Sequence, residues 1–273
     1  MLRTRIITAL VLLPAAFFLL FGMSAMAFGY VAAGLVMVGC WEFRQLAGLG
    51  NGPATWVMLL IQAALLYALA RYWSSWTADP MAVFLMACLA WGVMFVQIWS
   101  WTPDRRVDAS WRARGFLTAI GVMTLGWMSL AWLRMEPNGE WWVLLLLLTI
   151  WAADVGAYFS GRAIGGAKLA PRISPGKTRA GLYGGLLTAA VVAPLAAWLI
   201  PALPFAPLAL VPLALVTALV SVGGDLFISL HKRTVGLKDT GRIFPGHGGV
   251  LDRLDSLLAG APFFVLGKLL AGL

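Results

Sequence analysis

Four aspartates stand out because they lie inside apolar segments or at their edges. Asp154 and Asp225 each interrupt an apolar run, and Asp225 follows two glycines that open space beside it. An ionised aspartate at the middle of a bilayer costs about 2.5–3.5 kcal/mol, and such residues usually mark a functional pathway. For Asp154, a helix-end carboxylate paired with a nearby cation is an equally good interpretation. Asp252 and Asp255 are three residues apart, so a helix would place both on one face, where paired carboxylates could hold Mg²⁺.

Positive charges cluster around the second pair of aspartates, in the segment 231–253. Glycines precede these aspartates and suit a tight turn whose backbone N–H groups could cradle a phosphate. Carboxylates beside clustered cations predict a site for a metal ion and a polyphosphate. The alternative is a solvated loop whose aspartates only balance its positive charges, and composition alone leaves both open. The cations are Lys232, Arg233, Lys238, Arg242 and Arg253.

A second candidate loop contains the run Ser174-Pro175-Gly176-Lys177-Thr178. It is not a P-loop, because that motif needs a glycine at the position of Pro171 and a strand before the loop, where this chain has an apolar helix. A lysine and two hydroxyls ahead of a helix remain, which is a suitable place for an anion. An ordinary basic loop with turn residues is the competing interpretation.

The histidines and cysteines lack the spacing of a metal site. His231 and His247 are the only histidines, and Cys40 and Cys88 lie in or beside apolar stretches. We therefore expect His247 to shape its loop and the cysteines to fill apolar space.

The composition shows what kind of molecule must position these residues. Of its 273 residues, 61% are hydrophobic and 11% are charged, and the mean hydropathy is +0.87. Soluble domains carry about 25% charged residues. So few charges cannot cover a water-facing surface, which excludes soluble enzymes, disordered chains and secreted disulfide scaffolds. We predict an all-α polytopic membrane protein.

Apolar segments of roughly membrane-spanning length recur along the chain and predict about nine transmembrane helices. The first two segments look short for a full span. We divide the chain into N-terminal transmembrane helices at 1–140, with about five spans, and a C-terminal transmembrane catalytic region at 141–273 with loops 162–179 and 231–253. The segments are 6–22, 24–40, 55–72, 81–101, 115–134, 141–161, 180–200, 205–230 and 256–272.

The distribution of positive charge predicts the orientation. When nine spans are threaded from a cytoplasmic N-terminus, all of the 20 Lys and Arg residues except Arg71, Arg134 and Lys268 fall on the cytoplasmic side. The positive-inside rule then places the C-terminus outside and the two polar loops in the cytoplasm. The net charge of +9 therefore reflects topology and not nucleic-acid binding. Arg3 and Arg5 could also begin a signal peptide, but the apolar segment that follows at once favours a retained helical hairpin.

The polar loops carry the signature of a known family. The segment from Ser229 closely resembles that of the phosphatidate cytidylyltransferases, also called CDP-diacylglycerol synthases or CDP-diglyceride synthetases. The family usually has an aliphatic residue at the position of His231. The loop at 174–178 and the run from Asp154 to Gly161 also resemble this family, whereas the first 140 residues match only in hydropathy. The signature reads Ser229-x2-Lys232-Arg233-x4-Lys238-Asp239-x-Gly241-x2-Phe244-Pro245-x-His247-Gly248-Gly249-Val250-x-Asp252-Arg253-Leu254-Asp255.

The resemblance implies that CTP and phosphatidic acid react to CDP-diacylglycerol and pyrophosphate with Mg²⁺, at a cytoplasmic site in a bacterial-type inner membrane. Phosphatidic acid is already an anionic nucleophile, so metal and cations would do the catalytic work. A second metal ion and a homodimer stay open, and membrane lipids are the expected surroundings. Expected metal ligands are Asp225, Asp252 and Asp255, with Asp154 a weaker member. Expected catalytic residues are these first three with Lys232, Arg233, Lys238 and Arg253. Expected substrate-binding residues are Ser174, Lys177, Thr178, Ser229, Lys232, Arg233, Lys238, Asp239, His247, Gly248 and Gly249.

Two other functions are compatible with parts of the pattern. A CTP-dependent polyprenol or phytol kinase would need a general base near an alcohol, and no extra His or Glu stands in these loops. An ion-coupled transporter would explain Asp154 and Asp225, but transporters usually place sites at mid-bilayer in repeated halves, and no repeat is seen.

Overall fold

Helices make up most of the molecule. The computed structural model describes residues 10–11, 13–246 and 248–273, which leaves Arg3, Arg5 and His247 outside the described residues. Within this part of the chain, eight α-helices of 19 to 28 residues follow one another. The all-α class is confirmed, with a small exception near residue 170. The helices are α1 (Ala25–Leu46), α2 (Pro53–Arg71), α3 (Pro80–Ser100), α4 (Ala109–Met135), α5 (Gly139–Ile164), α6 (Arg179–Leu199), α7 (Pro207–Thr234) and α8 (Leu251–Leu270), besides a π-helical turn at Phe18–Gly22 and a single turn at Trp73–Trp76.

Seven of these helices, α1 to α7, are long and apolar enough to cross a membrane. α8 is not among them, because it carries charged residues such as Asp252 and Asp255 in its first turns. Leu208 and Trp99 are 94% and 81% exposed, as expected where a surface faces lipid. The chain is thus a helical integral membrane protein with several spans. The described part of the first predicted segment is the short apolar helix Leu13–Gly22, and the count of nine stays a prediction.

The helices extend beyond the apolar segments that predicted them. α1 continues to Leu46 where the prediction ended at 40, and α8 begins at Leu251 where the prediction began at 256. The expectation of a short second segment is therefore wrong, since α1 has 22 residues. Hydropathy marks only the apolar part of a helix, whereas backbone hydrogen bonds continue through its polar turns. As a result, both acidic residues of the Asp252–Asp255 pair lie on a helix.

A two-stranded antiparallel sheet forms where the sequence predicted only a loop. β1 (Lys168–Ala170) pairs with β2 (Ser174–Thr178), with Lys168 opposite Thr178 and Ala170 opposite Ser174. Gly165 ends α5 with a φ of 66°, a left-handed conformation that glycine adopts without strain. Strands this short carry no alternation of apolar residues that the sequence could reveal. This β-hairpin leads directly into α6.

Helices α5 and α6 pack closely through small residues. A Cβ at Gly185 would lie 2.6 Å from the carbonyl oxygen of Ala153, and one at Gly181 would lie 2.9 Å from that of Ala157. Small residues of this kind allow the backbones of membrane helices to approach each other. Because α5 carries Asp154 and α6 follows β2, this contact brings Asp154 towards the β-hairpin.

Helices α7 and α8 pack in the same way. A Cβ at Gly224 would lie 2.7 Å from the carbonyl oxygen of Asp255. α4 and α7 form the centre of the bundle, since 67% and 61% of their most apolar stretches are buried, against 22% for α2 and α3. The residue after Gly224 is Asp225, so the close approach sets Asp225 beside the start of α8. Helices from both sides of residue 140 thus share one core, and the division of the chain there stays a prediction.

Candidate active site

An ion pair joins the predicted loop at 162–179 to helix α7. The Nζ of Lys177, on β2, lies 2.5 Å from Oδ2 of Asp225, on α7. The other oxygen of Asp225, Oδ1, accepts a hydrogen bond of 3.1 Å from the hydroxyl of Ser229, one helical turn away. Both partners of the ion pair are more than two-thirds buried. The structure therefore brings together Lys177, Asp225 and Ser229, although the first and the last are 52 positions apart in the sequence.

Two further acidic groups lie around this ion pair. Asp255 on α8 is 8% exposed, accepts the backbone N–H of Ser256 at 2.8 Å, and interacts electrostatically with Asp225. Asp154 on α5 is exposed and lies within electrostatic range of both Lys177 and Asp225. Among the described residues, however, no three His, Cys, Asp or Glu side chains are close enough together to hold a metal ion by themselves. The predicted metal assignment stays a prediction.

Asp252 forms a separate, fully hydrogen-bonded centre at the start of α8. Its Oδ1 lies 2.8 Å from Nζ of Lys232, while Oδ2 accepts the backbone N–H groups of Thr240 at 2.7 Å and Gly249 at 2.9 Å. Burial by itself would raise the pKa of Asp252, but the hydrogen bond from Lys232 and those from the backbone hold this pKa below its ordinary value. Asp252 is therefore a charged anchor for the segment 240–249. Among the three predicted metal ligands, Asp252 accepts the most hydrogen bonds from the protein itself.

Glu42 on α1 is a functional candidate that the sequence analysis missed. It is 3% exposed, and its carboxylate accepts the backbone N–H of Val250 at 3.1 Å and of Leu251 at 2.8 Å. Its Oε2 also lies 2.9 Å from the hydroxyl of Thr240. A signal was available, because Glu42 is the one acidic residue in the apolar sequence of α1.

Several predicted cations remain on the surface of the site. Arg233, Lys238 and Arg253 are exposed, as is Asp239. Arg233 also donates from Nε to the carbonyl oxygen of Ile173 at 3.1 Å, which ties the β-hairpin to the end of α7. Lys232, by contrast, is buried in its pair with Asp252. Of the five cations in the segment 231–253, one is therefore internally paired, and the other four, which include Arg242, are exposed.

The predicted loop residues have distinct local roles. The hydroxyl of Thr178 accepts the N–H of Gly181 at 3.0 Å and so caps α6, whereas Ser174 is only half-buried. Gly248 has a φ of 82°, and a Cβ there would lie 2.5 Å from Oδ2 of Asp252. The N–H of Gly249 is bonded to the same oxygen. The phosphate contacts predicted for these residues stay predictions, as does any role of His247.

His231 belongs to an aromatic cluster behind the site. It is buried, its Nδ1 lies 2.9 Å from the carbonyl oxygen of Phe227, and its ring packs against those of Phe43, Trp111 and Phe227. The cluster joins α1, α4 and α7. His231 therefore supports the end of α7 that carries Lys232.

An apolar cavity of about 640 Å³ lies between α3, α7 and the β-hairpin. Its wall includes Gly223 and Leu226 of α7, on either side of Asp225 in the sequence, and Phe95 and Trp99 of α3. The β-hairpin closes another side through residues 169–173, where Arg172 is the charged member. A space suited to hydrocarbon is therefore bounded by the same two elements, α7 and the β-hairpin, that carry the Lys177–Asp225 ion pair.

Comparisons with known proteins identify the family of this chain. A model of the cytidylyltransferase family matches residues 3–269. The chain is similar to phosphatidate cytidylyltransferases from Pseudomonas aeruginosa (38% identity, covering 97% of this chain and 96% of the relative), Haemophilus influenzae (32%, 97% and 97%) and Brucella suis (36%, 97% and 92%). The resemblance predicted from the signature is confirmed. It also extends through the first 140 residues, further than the expected likeness in hydropathy alone. The chain therefore belongs to the cytidylyltransferase family.

Proposed function

We propose that this protein is a nucleotidyltransferase that makes CDP-diacylglycerol from CTP and phosphatidic acid. A phosphate oxygen of phosphatidic acid attacks the α-phosphorus of CTP, the new P–O bond forms, and the bond between the α- and β-phosphates breaks to release pyrophosphate. The observation that carries the proposal is the Lys177–Asp225 ion pair, which joins the β-hairpin to α7, the two elements that also contribute to the wall of an apolar cavity. The names of the full-length relatives support the same reaction.

The main task of the site is to bring two anions together. Because the attacking phosphate is already ionised, the reaction needs no strong general base, and stabilisation of charge at the α-phosphate is the larger contribution. The exposed cations Arg233, Lys238 and Arg253 would bind phosphate groups of the two substrates. Lys177, held against Asp225, would present its ammonium group where the β-hairpin meets α7.

Asp225 and Asp255 are the residues best suited to hold Mg²⁺. Mg²⁺ binds through one or two carboxylates together with substrate phosphates, so it does not need a complete protein cage. Two neighbouring carboxylates that repel each other, one of them buried with a single backbone donor, suit a divalent cation. Bound there, Mg²⁺ would neutralise phosphate charge and stabilise the transition state. Asp154 would complete the acidic surroundings, and Asp252 would orient Lys232.

The apolar cavity supports a binding mode for the lipid. We place an acyl chain of phosphatidic acid between α3, α7 and the β-hairpin, with the phosphate towards Asp225. Arg172 on the cavity wall would face the headgroup. This arrangement lets the substrate remain in the membrane while its phosphate reacts.

We further propose nine spans, a cytoplasmic N-terminus, an external C-terminus and a site facing the cytoplasm of a bacterial inner membrane. The ion pairs Arg134–Glu140 and Lys268–Glu136 support this, because they lie where α4 and α8 end and α5 begins, away from the site. Arg134 and Lys268 are two of the three cations predicted on the outer side. A homodimer stays a prediction.

The test is formation of CDP-diacylglycerol by the purified full chain with CTP, phosphatidic acid and Mg²⁺, measured together with pyrophosphate release. We expect both products from the parent protein and at least a ~100-fold lower kcat in Asp225→Asn, about 2.7 kcal/mol of barrier. Asp104→Asn, an exposed aspartate outside the site, is the matched control and should match the parent. Absence of both products from the folded parent would reject the proposed reaction.

A further inference from the structure

Glu42 lies far from the predicted catalytic residues in sequence but directly behind them in the fold. Its carboxylate is almost fully buried and, within the described residues, forms no ion pair within 4 Å. The nearby Arg44 instead stacks on Trp41, 3.5 Å from the ring centroid, and donates to Asn51 at 3.1 Å. A buried carboxylate without a cation is costly unless other groups stabilise its charge.

The N-terminus of α8 provides that stabilisation. The first N–H groups of a helix lack partners within the helix and carry partial positive charge. The N-cap residue of α8, Val250, has no side-chain cap, and Glu42 accepts the N–H groups of Val250 and Leu251 instead. α1 therefore caps α8 from a position 209 residues earlier in the chain.

The surrounding glycines are explained by this contact. A Cβ at Gly241 or at Gly249 would overlap the carboxylate of Glu42. Both ends of the segment 241–249 must therefore lie against the same side chain. The N–H of Gly249 is bonded to Asp252. The absence of a side chain at Gly249 has a separate purpose, because it lets the backbone pack closely on the carboxylate of Glu42.

Thr240 connects Glu42 to the candidate active site. Its hydroxyl lies 2.9 Å from Oε2 of Glu42 and 3.0 Å from Oδ2 of Asp252, and it is 1% exposed. Asp252 in turn contacts Lys232 at 2.8 Å. A continuous chain of contacts thus runs from α1 through the loop to the end of α7.

We propose that Glu42 is a positioning residue for cytidylyl transfer. It holds the segment 240–251 so that Asp252 and Lys232 keep the arrangement in which the substrates react, and it contacts neither substrate itself. This inference rests on the proposed function for its readout in turnover. A displacement of the order of 1 Å at such a site can lower the rate by about 100-fold.

The first test compares Glu42→Gln with Glu140→Gln, a matched substitution at the opposite end of the bundle. In either orientation the amide would direct its NH₂ group at a backbone N–H, that of Val250 or that of Leu251, so one hydrogen bond is replaced by two opposed donors. We expect Glu42→Gln to speed hydrogen exchange of the peptide spanning 240–251 at least fivefold and to lower kcat per folded enzyme at least tenfold. Glu140→Gln should change neither. Unchanged exchange or an unchanged kcat in Glu42→Gln would overturn the proposal.

A second variant, Thr240→Val, removes the connecting hydroxyl at nearly constant volume. We expect kcat to fall at least threefold, and the double variant to lose less than the product of the two single losses, because both act through one chain of contacts. Multiplicative losses would overturn the proposal, and so would a kcat within twofold of the parent. Thr240→Val keeps the test available if Glu42→Gln does not fold. Failure of the parent to form CDP-diacylglycerol would instead reject the reaction, while the exchange measurement would still report on Glu42.

Discussion

Replacing Asp252 by asparagine tests whether its hydrogen-bonded centre organises the active site. The carboxylate uses one oxygen for Lys232 and the other for the backbone N–H groups of Thr240 and Gly249. Asparagine has a single acceptor oxygen. Whichever way the amide is oriented, its NH₂ group faces another donor, either the Lys232 ammonium or two backbone N–H groups.

The expected loss of activity can be worked out from these contacts. A hydrogen bond to a charged group contributes about 1.5–3 kcal/mol, and a buried donor left without a partner costs about 1–3 kcal/mol. The native arrangement of the segment 240–249 should therefore lose roughly 2.5–6 kcal/mol relative to alternatives. At 1.36 kcal/mol for each tenfold change, the lower bound corresponds to a loss in kcat/KM of about 70-fold.

The assay is pyrophosphate release at several CTP concentrations, with the folded fraction of each variant determined by size-exclusion chromatography. Asp104→Asn is the control for the loss of one negative charge on an exposed loop. If Asp252→Asn is folded and retains kcat/KM within threefold of the parent, the reasoning from opposed donors is refuted.

Two further predictions concern packing and lipid binding. Gly185→Ala should lower the melting temperature, because its Cβ would meet the Ala153 carbonyl oxygen at 2.6 Å and overpacking costs about 1–3 kcal/mol. Gly92→Ala is the control and should leave the melting temperature unchanged, since no atom lies within 4 Å of its Cβ. Equal melting temperatures for the two variants would contradict the close contact of α5 and α6. Leu219→Trp should fill part of the apolar cavity and raise the KM for phosphatidic acid about fivefold without changing the KM for CTP. Leu208→Trp, at the start of the same helix and outside the cavity lining, is its control, and an unchanged KM for phosphatidic acid in Leu219→Trp would exclude the cavity as the acyl site.

Hydropathy and residue type predicted the helices well, because each apolar run must satisfy its backbone within a helix. They also identified Asp225 and Lys177 separately, and the family resemblance implied that both act in one site. The contact between them was beyond the sequence, since it depends on how closely α5 and α6 pack and on a β-hairpin too short to have a pattern.

The different environments of the acidic residues could not be predicted from the sequence either. Asp252 and Asp255 have the expected helical spacing, but only the structure shows Asp252 surrounded by donors and Asp255 buried near Asp225. Glu42 escaped notice because its partners are backbone groups more than 200 residues away, and no local motif records such a contact.

The capping of α8 by Glu42 has a consequence for biogenesis. During synthesis α1 emerges first and α8 last among the long helices. The carboxylate of Glu42 therefore has no hydrogen bond from the N-terminus of α8 until α8 has been made. Until then, the loop before α8 lacks its anchor, and the positioning role proposed for Glu42 predicts that the enzyme does not turn over. A fragment that begins at α5 would contain every predicted site residue and still lack this anchor, so the role proposed for Glu42 makes activity depend on assembly of the complete bundle.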